Sequence, residues 1–272
     1  MEKWVTSVDK SEKENSVTDS YGVEYSKDGL RLLSARHLTQ SDYRVKDGVK
    51  VICEAAFMGV IILKHISLPD SVEVIGRGAF YHSEELEKID MNHGLKLIES
   101  WAFSGCKKLD NVVLVSTLEK IEFPAFSRDN VMHLTCKTDR YVYYKRALYT
   151  PDRKTLCECF TRGTRFVIPE GTERMERYSL FSCKRLKKIY LPHSFKHIAG
   201  HCVLDFHSKV DEVYTAPNMK RRAEQLLIDM THDWGKKEYK IYVAKDKNKP
   251  FEADKNNFRK FAFRKDFLGF RI

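Results

Sequence analysis

No run of 18 apolar residues occurs in this 272-residue chain, which excludes an ordinary transmembrane helix. Met1-Glu2-Lys3-Trp4-Val5-Thr6-Ser7 has no apolar core, so no signal peptide is expected there. A cytoplasmic location is the expectation, with the cell surface or secretion as the alternative if a leader is missing. Cysteine is sparse and odd in number, seven in all, which does not make a disulfide framework and fits a reducing compartment. There is no Gly-rich phosphate loop, no Gly-x-Ser-x-Gly elbow and no His-Glu-x-x-His, and the carboxylates are scattered rather than paired. Catalysis is not expected on these grounds, and neither is a cofactor or a bound metal.

What the chain has instead is repetition. Ile52, Ile75, Ile98 and Ile121 stand 23 residues apart, and Met175 and Ile198 repeat the step. Reading forward from Ile75 gives Ala79, Phe80, Ser83, Leu86, Ile89 and Met91. The same offsets from Ile98 give Ala102, Phe103, Cys106, Leu109, Val112 and Leu114. From Ile52 they give Ala56, Phe57, Val60, Leu63, Ile66 and Leu68, and from Met175 Ser179, Leu180, Cys183, Leu186, Ile189 and Leu191. The Ile121 turn is one residue short, through Val131, Leu134 and Cys136, and the Ile198 turn one long, through Val210 and Val213. Self-similarity at this period predicts a solenoid whose turns bury their apolar faces only against their neighbours.

Each repeated position has a physical reason. Leu-x-x-Ile-x-Leu ends in period-two alternation and reads as a short strand. Pro69 and Pro192 follow two of these strands and, lacking an N–H, end the ladder. Ala-Phe pairs a small residue, which lets backbones approach, with a large one that fills the space between turns. Cys106 and Cys183 act in this pattern as small apolar residues.

These residues resemble the BspA-like leucine-rich repeat family, with the consensus Ile-Gly-x-x-Ala-Phe-x-x-Cys-x-x-Leu-x-x-Ile-x-Leu-Pro. Ile75-Gly76-Arg77-Gly78-Ala79-Phe80 carries the likeness, as do Phe103-Ser104-Gly105-Cys106-Lys107-Lys108-Leu109 and the run from Phe181 to Pro192. The resemblance covers about residues 21–216. It implies a mostly β fold with short helical turns, a leucine-rich-repeat solenoid with β-hairpin insertions and a C-terminal α/β cap. It also implies protein binding or adhesion rather than catalysis, since many such proteins resemble surface adhesins.

Domain organisation follows from where the repeat stops. Residues 1–20 are polar and are expected to form a disordered tail. Hairpin insertions are expected near 21–45 and 143–168, because Tyr25, Asp28 and Leu32 map onto Tyr149, Asp152 and Leu156 at one offset of 124. Residues 217–272 are expected to cap the solenoid at 21–216: Pro217 to Gly235 has a helical pattern, and Tyr239 to Val243 reads as a strand. This segment holds fifteen Lys or Arg against eight Asp or Glu, a net +7 of the chain's +10.

Candidate binding residues come from the outward positions of the predicted strands. These are His65 and Ser67, Lys88 and Asp90, Asn111 and Val113, His133 and Thr135, and Lys188 and Tyr190. A protein partner is expected on this row, with the chain itself a monomer. The alternative is nucleic acid or an anionic surface held by Arg259, Lys260, Arg264 and Lys265, which interleave with aromatics. Against that, no nucleic-acid motif is present and the phenylalanines suit a capping strand. His193, His197 and His201 imitate a helical ladder, but they occupy the repeat positions of Asp70, Val74 and Gly78. Even with Cys202, Asp205 and His207 nearby, packing or solvation is preferred over a metal site. Cys157 and Cys159 share one face of a strand and lack the second pair a metal needs.

Overall fold

Alternation along each short strand decides what faces in and what faces out. The computed structural model describes residues 5–126, 133–199, 210–216, 221, 223–224, 238–245 and the backbone of 258–264. The chain divides into two units, Met1–Lys145 and Arg146–Ile272.

In the first unit every turn lays down two strands, one in each of two sheets. The first sheet runs Val17–Thr18, Glu24–Tyr25, Arg31–Ser34, Val51–Ile52, Val74–Ile75, Leu97–Ile98 and Lys120–Ile121. Its first two pairings are antiparallel and the rest parallel, with Ile52 opposite Ile75 and Ile75 opposite Ile98. The second sheet is parallel and runs Asp42–Arg44, His65–Ser67, Lys88–Asp90, Asn111–Leu114 and His133–Cys136. The short turn after Ile121 leaves Val112 opposite Leu134.

The Ala-Phe segments join neighbouring turns on a third side. Phe57 donates its N–H to the Ala79 carbonyl at 2.7 Å, Phe80 to Ala102 at 2.8 Å and Phe103 to Ala125 at 2.9 Å. The rings stack parallel between the sheets: Phe57–Phe80 at 4.9 Å, then Phe80–Phe103 and Phe103–Phe126 at 5.3 Å each. Each such ring contributes about 1.5–3 kcal/mol by leaving water. The residue three beyond Phe has a second task that a packing role alone misses. Ser83 Oγ donates to the Phe57 carbonyl at 2.6 Å, Cys106 Sγ to that of Phe80 at 3.1 Å and Cys183 Sγ to that of Cys159 at 3.3 Å. A buried carbonyl without a partner costs about 1–3 kcal/mol, which explains a thiol or hydroxyl there.

Two left-handed positions recur as well. Ala55, Gly78, Trp101 and Tyr178 all have positive φ, three residues after their anchors, as do Gly59, His82 and Gly105, seven after theirs. Gly76 answers a different demand: a Cβ there would lie 2.8 Å from the Glu54 nitrogen and the Ile52 oxygen. Only glycine allows that approach.

The expected disordered tail over 1–20 is corrected for residues 5–20. They include a helix, Lys10–Glu14, capped by Asp9, and the strand Val17–Thr18. Val8 packs against the cluster of Leu33, Val51, Cys53 and Val74 on the outward side of the first sheet, as Leu97 does. Thr6 Oγ1 donates to Glu99 at 2.8 Å, the Glu54 N–H to the Thr6 carbonyl at 2.8 Å, and Arg31 pairs with Glu12 and reaches the Ser7 carbonyl at 2.6 Å. A polar composition predicts solvation, but an apolar sheet face needs a cover.

In the second unit Ala147–Tyr149 and Thr155–Cys159 form an antiparallel hairpin, which leads into the parallel strands Arg174–Met175 and His197–Ile198. Tyr149 stands opposite Leu156, as Tyr25 does opposite Leu32 in the first unit. The other sheet runs Arg165–Val167, Lys188–Tyr190, Glu212–Thr215 and Glu238–Ala244 in parallel, and Phe258–Arg264 joins it antiparallel. The long turn after Ile198 leaves Ile189 opposite Val213. The helix expected between Pro217 and Gly235 lies almost wholly outside the described residues.

Candidate functional site

With Ile66, Ile89, Val112 and Leu134 turned inward and buried, the alternate residues of the first unit's second sheet face solvent. His65, Ser67, Asp90 and Val113 are half-buried, whereas Lys88, Asn111, His133 and Thr135 are exposed. One end of this row is knitted by charge. His65 Nε2 lies 2.7 Å from Asp90 and its Nδ1 3.5 Å from Asp42, while Lys88 Nζ reaches Asp90 at 2.8 Å. Burial would raise the Asp90 carboxyl, but the bonds from Lys88 and His65 outweigh it and hold it below its ordinary value. Fixed charges on this face cancel, with Asp42 and Asp90 against Arg44 and Lys88.

The second unit's outer face is different. Inward from its strands point Phe166, Ile189, Val213 and Ile241, all buried. Outward stand Arg165, Lys188, Glu212 and Lys240 in one row, and Val167, Tyr190, Tyr214 and Tyr242 in the next. The tyrosine rings form a ladder, Tyr190–Tyr214 at 4.2 Å and Tyr214–Tyr242 at 4.5 Å, within 9° of parallel. Arg165 lies over the ring of Tyr190 at 4.6 Å. Beside the rings Glu212, its side chain 14% exposed, accepts from Lys188 Nζ at 2.8 Å and from the Tyr214 hydroxyl at 2.8 Å. Burial pushes Glu212 up, but those two bonds pull it further down. Burial and the bond to Glu212 together raise the Tyr214 hydroxyl.

Lys188 and Tyr190, named from the sequence, lie on this outward face together with Arg165, Glu212, Tyr214 and Tyr242, which the sequence reading did not name. Counting forward by 24 rather than 23 from Lys188 and Tyr190 lands on Glu212 and Tyr214, whereas Tyr242 lies beyond the regular repeat, 28 residues after Tyr214. Of the alternative basic residues, Arg259, Lys260 and Arg264 are register partners of Val243, Tyr242 and Glu238. Lys265 lies outside the described residues. His193 is held by Glu170 at 2.8 Å, and His197 begins an exposed strand end. His201, Cys202, Asp205 and His207 are outside the described residues. Cys157 and Cys159 are both buried, and burial pushes the Cys157 thiol up to about 12. Among the described residues no group of three His, Cys, Asp or Glu is placed to hold a metal, and no helix is long and apolar enough to cross a membrane. A cleft of about 460 Å³ lies beside the N-terminal strap, with Lys13, Arg36 and His37 facing Glu24 and Glu54.

Twenty-three-residue turns, each adding one strand to each of two parallel ladders, define a leucine-rich-repeat solenoid. The BspA type leucine rich repeat region matches in six copies over residues 36–150 and 153–225, and the chain belongs to that family. Similar solved structures include a leucine-rich repeat protein of Eubacterium ventriosum, 18% identical with a TM-score of 0.47 over 65% of this chain. The match spans 56% of that protein's length. A leucine-rich repeat protein of Bacteroides capillosus is 23% identical with a TM-score of 0.40, over 45% of this chain and 99% of its own. A leucine-rich cell surface protein of Faecalibacterium prausnitzii is 18% identical with a TM-score of 0.39, over 73% of this chain and 69% of its own. No curated protein matches the chain.

Proposed function

We propose that the chain is a non-catalytic binding scaffold that captures a protein partner on the outward rows of its strand ladders. The observation that carries this is the division of labour along every strand. Inward residues are consumed by the core, while the alternate residues form regular, solvent-facing rows of mixed polarity that the fold itself does not need.

The test uses substitutions that leave the ion pairs alone. Changing Lys188 to Glu would set a second carboxylate beside the sunken Glu212, so Asn111→Glu and His133→Glu, both at exposed positions, are the better pair for the first unit. Surface changes of this kind stay within about 0.5 kcal/mol of the parent. With the full chain as bait, the double variant is expected to lose a crosslinked partner while keeping the parent's melting temperature. Undiminished capture by the folded variant would remove this row from the binding surface.

A further inference from the structure

The two outer faces are not chemically alike, and the difference points to a ligand class. On the first unit the fixed charges cancel and the outward row of His65, Lys88, Asn111 and His133 carries no tyrosine, tryptophan or phenylalanine. On the second, three cations, Arg165, Lys188 and Lys240, meet one carboxylate, Glu212, which is paired with Lys188 and also accepts from the Tyr214 hydroxyl. We propose that this second face is the docking surface for an extended acidic segment of a partner protein, whose carboxylates are received by Arg165, Lys240 and the hydroxyls of Tyr190 and Tyr242. The proposal rests on the scaffold reading and names the chemistry of its partner.

Geometry narrows the choice. Stacked at 4.2 and 4.5 Å, the rings cover both faces of Tyr214 and the inner faces of Tyr190 and Tyr242, and Arg165 covers the outer face of Tyr190. Tyr190 and Tyr214 therefore present ring edges, the electropositive side of the quadrupole, and Tyr190 and Tyr242 add their hydroxyl groups. Both suit oxygen anions. Nucleic acid is disfavoured by the same arrangement, because base stacking needs an exposed aromatic face, which neither Tyr190 nor Tyr214 offers. The stack is also pre-ordered: each ring is already fixed by its neighbours, so little side-chain freedom is lost on binding.

The experiment is a titration of the full chain against fluorescein-labelled poly-L-glutamate, which self-repulsion keeps extended at neutral pH. Parallel arms use poly-L-lysine, poly(U) RNA and vesicles containing phosphatidylserine. Poly-L-glutamate is expected to bind with an affinity that falls with salt. Arg165→Gln with Lys240→Gln should weaken it about tenfold or more, with Arg165→Lys retaining part of the binding. Tyr190→Phe with Tyr242→Phe, which keeps the stack and removes only hydroxyls, should cost about three- to tenfold and covers the case in which the charge variant fails to fold. Failure of poly-L-glutamate to bind overturns the proposal, and so does binding that the variants leave unchanged, which would locate it elsewhere. Stronger binding of RNA or vesicles, unaffected by these variants, overturns it as well. The scaffold reading stands or falls separately, on whether Asn111→Glu with His133→Glu or the tyrosine pair changes protein capture.

Discussion

Replacing Phe80 by alanine removes the middle of a stack that the backbone cannot close up. Phe80 is fully buried between Phe57 at 4.9 Å and Phe103 at 5.3 Å. The turns carrying them are held at fixed spacing by hydrogen bonds from Phe57 to Ala79 and from Phe80 to Ala102. A Phe-to-Ala change in a core costs about 3–5 kcal/mol, and sites that cannot collapse lie at the upper end. Two ring pairs are lost besides, each worth about 0.5–1.5 kcal/mol beyond buried area. We expect a loss of roughly 4–5 kcal/mol, a large part of the ~5–15 kcal/mol that holds a domain together. Phe80→Leu keeps most of the volume and forfeits the stacking, so roughly 1–3 kcal/mol is expected. The assay is urea unfolding of the full chain followed by far-ultraviolet circular dichroism. Two units need not unfold in one step, so the transition that moves must be the one moved by other changes in the first unit. The Phe80→Leu and Phe103→Leu pair should show a coupling of about 0.5 kcal/mol or more, being in contact. A Phe80→Ala cost below about 1.5 kcal/mol, or strict additivity of the leucine pair, would refute the stacking argument.

Other expectations concern backbone and charge. Gly78 has φ +58° and open space around it, its added Cβ meeting only the Tyr81 Cβ at 3.5 Å, so Gly78→Ala tests the left-handed backbone alone. It should lower the urea midpoint by about 1 kcal/mol in free energy, while Ala55→Gly, at φ +56°, is neutral or stabilising by about 0.5 kcal/mol; a rise for Gly78→Ala would contradict the assignment. In the second unit, Lys196 holds Glu173 below its ordinary value, and Glu212 lies low because its bonds to Lys188 and Tyr214 exceed the effect of burial. Folded values below unfolded ones mean stability that is present above about pH 4.3 and is lost as pH falls through the folded values. Melting temperatures taken from pH 7 downward should fall in that window, and Glu212→Gln should flatten the decline; parallel curves would show that Glu212 is not involved.

The repeat was legible because each anchor and each Ala-Phe pair answers the same packing demand in every turn. Ile75 and Phe80 therefore predict Ile98 and Phe103. The N-terminal strap was not legible, since Val8 is one apolar residue in a polar stretch. Its reason for binding lies in Leu33, Val51, Val74 and Leu97, whose outward direction shows only once the first sheet is assembled. The left-handed positions were half visible: Gly78 announces one, but Ala55, Trp101 and Tyr178 occupy the same place without the glycine signature. Tyr214 flanks Val213 in a turn one residue longer than the rest, and Tyr242 lies 28 residues further on, beyond the regular repeat, so their stacking shows only once hydrogen bonding sets the strand register.

From Val51–Ile52 to Lys120–Ile121 every turn meets the next at one unvarying offset. Excise Gly76 through Ile98, join Ile75 to Glu99, and each surviving strand finds a neighbour of the same kind it had before. A gene for such a molecule can lose or duplicate whole rungs by unequal recombination without an intermediate that fails to close. Within this run, cuts that are not whole multiples of 23 break the offset. Length is thus the property of this molecule most open to hereditary change, and the core sequence of a rung the least.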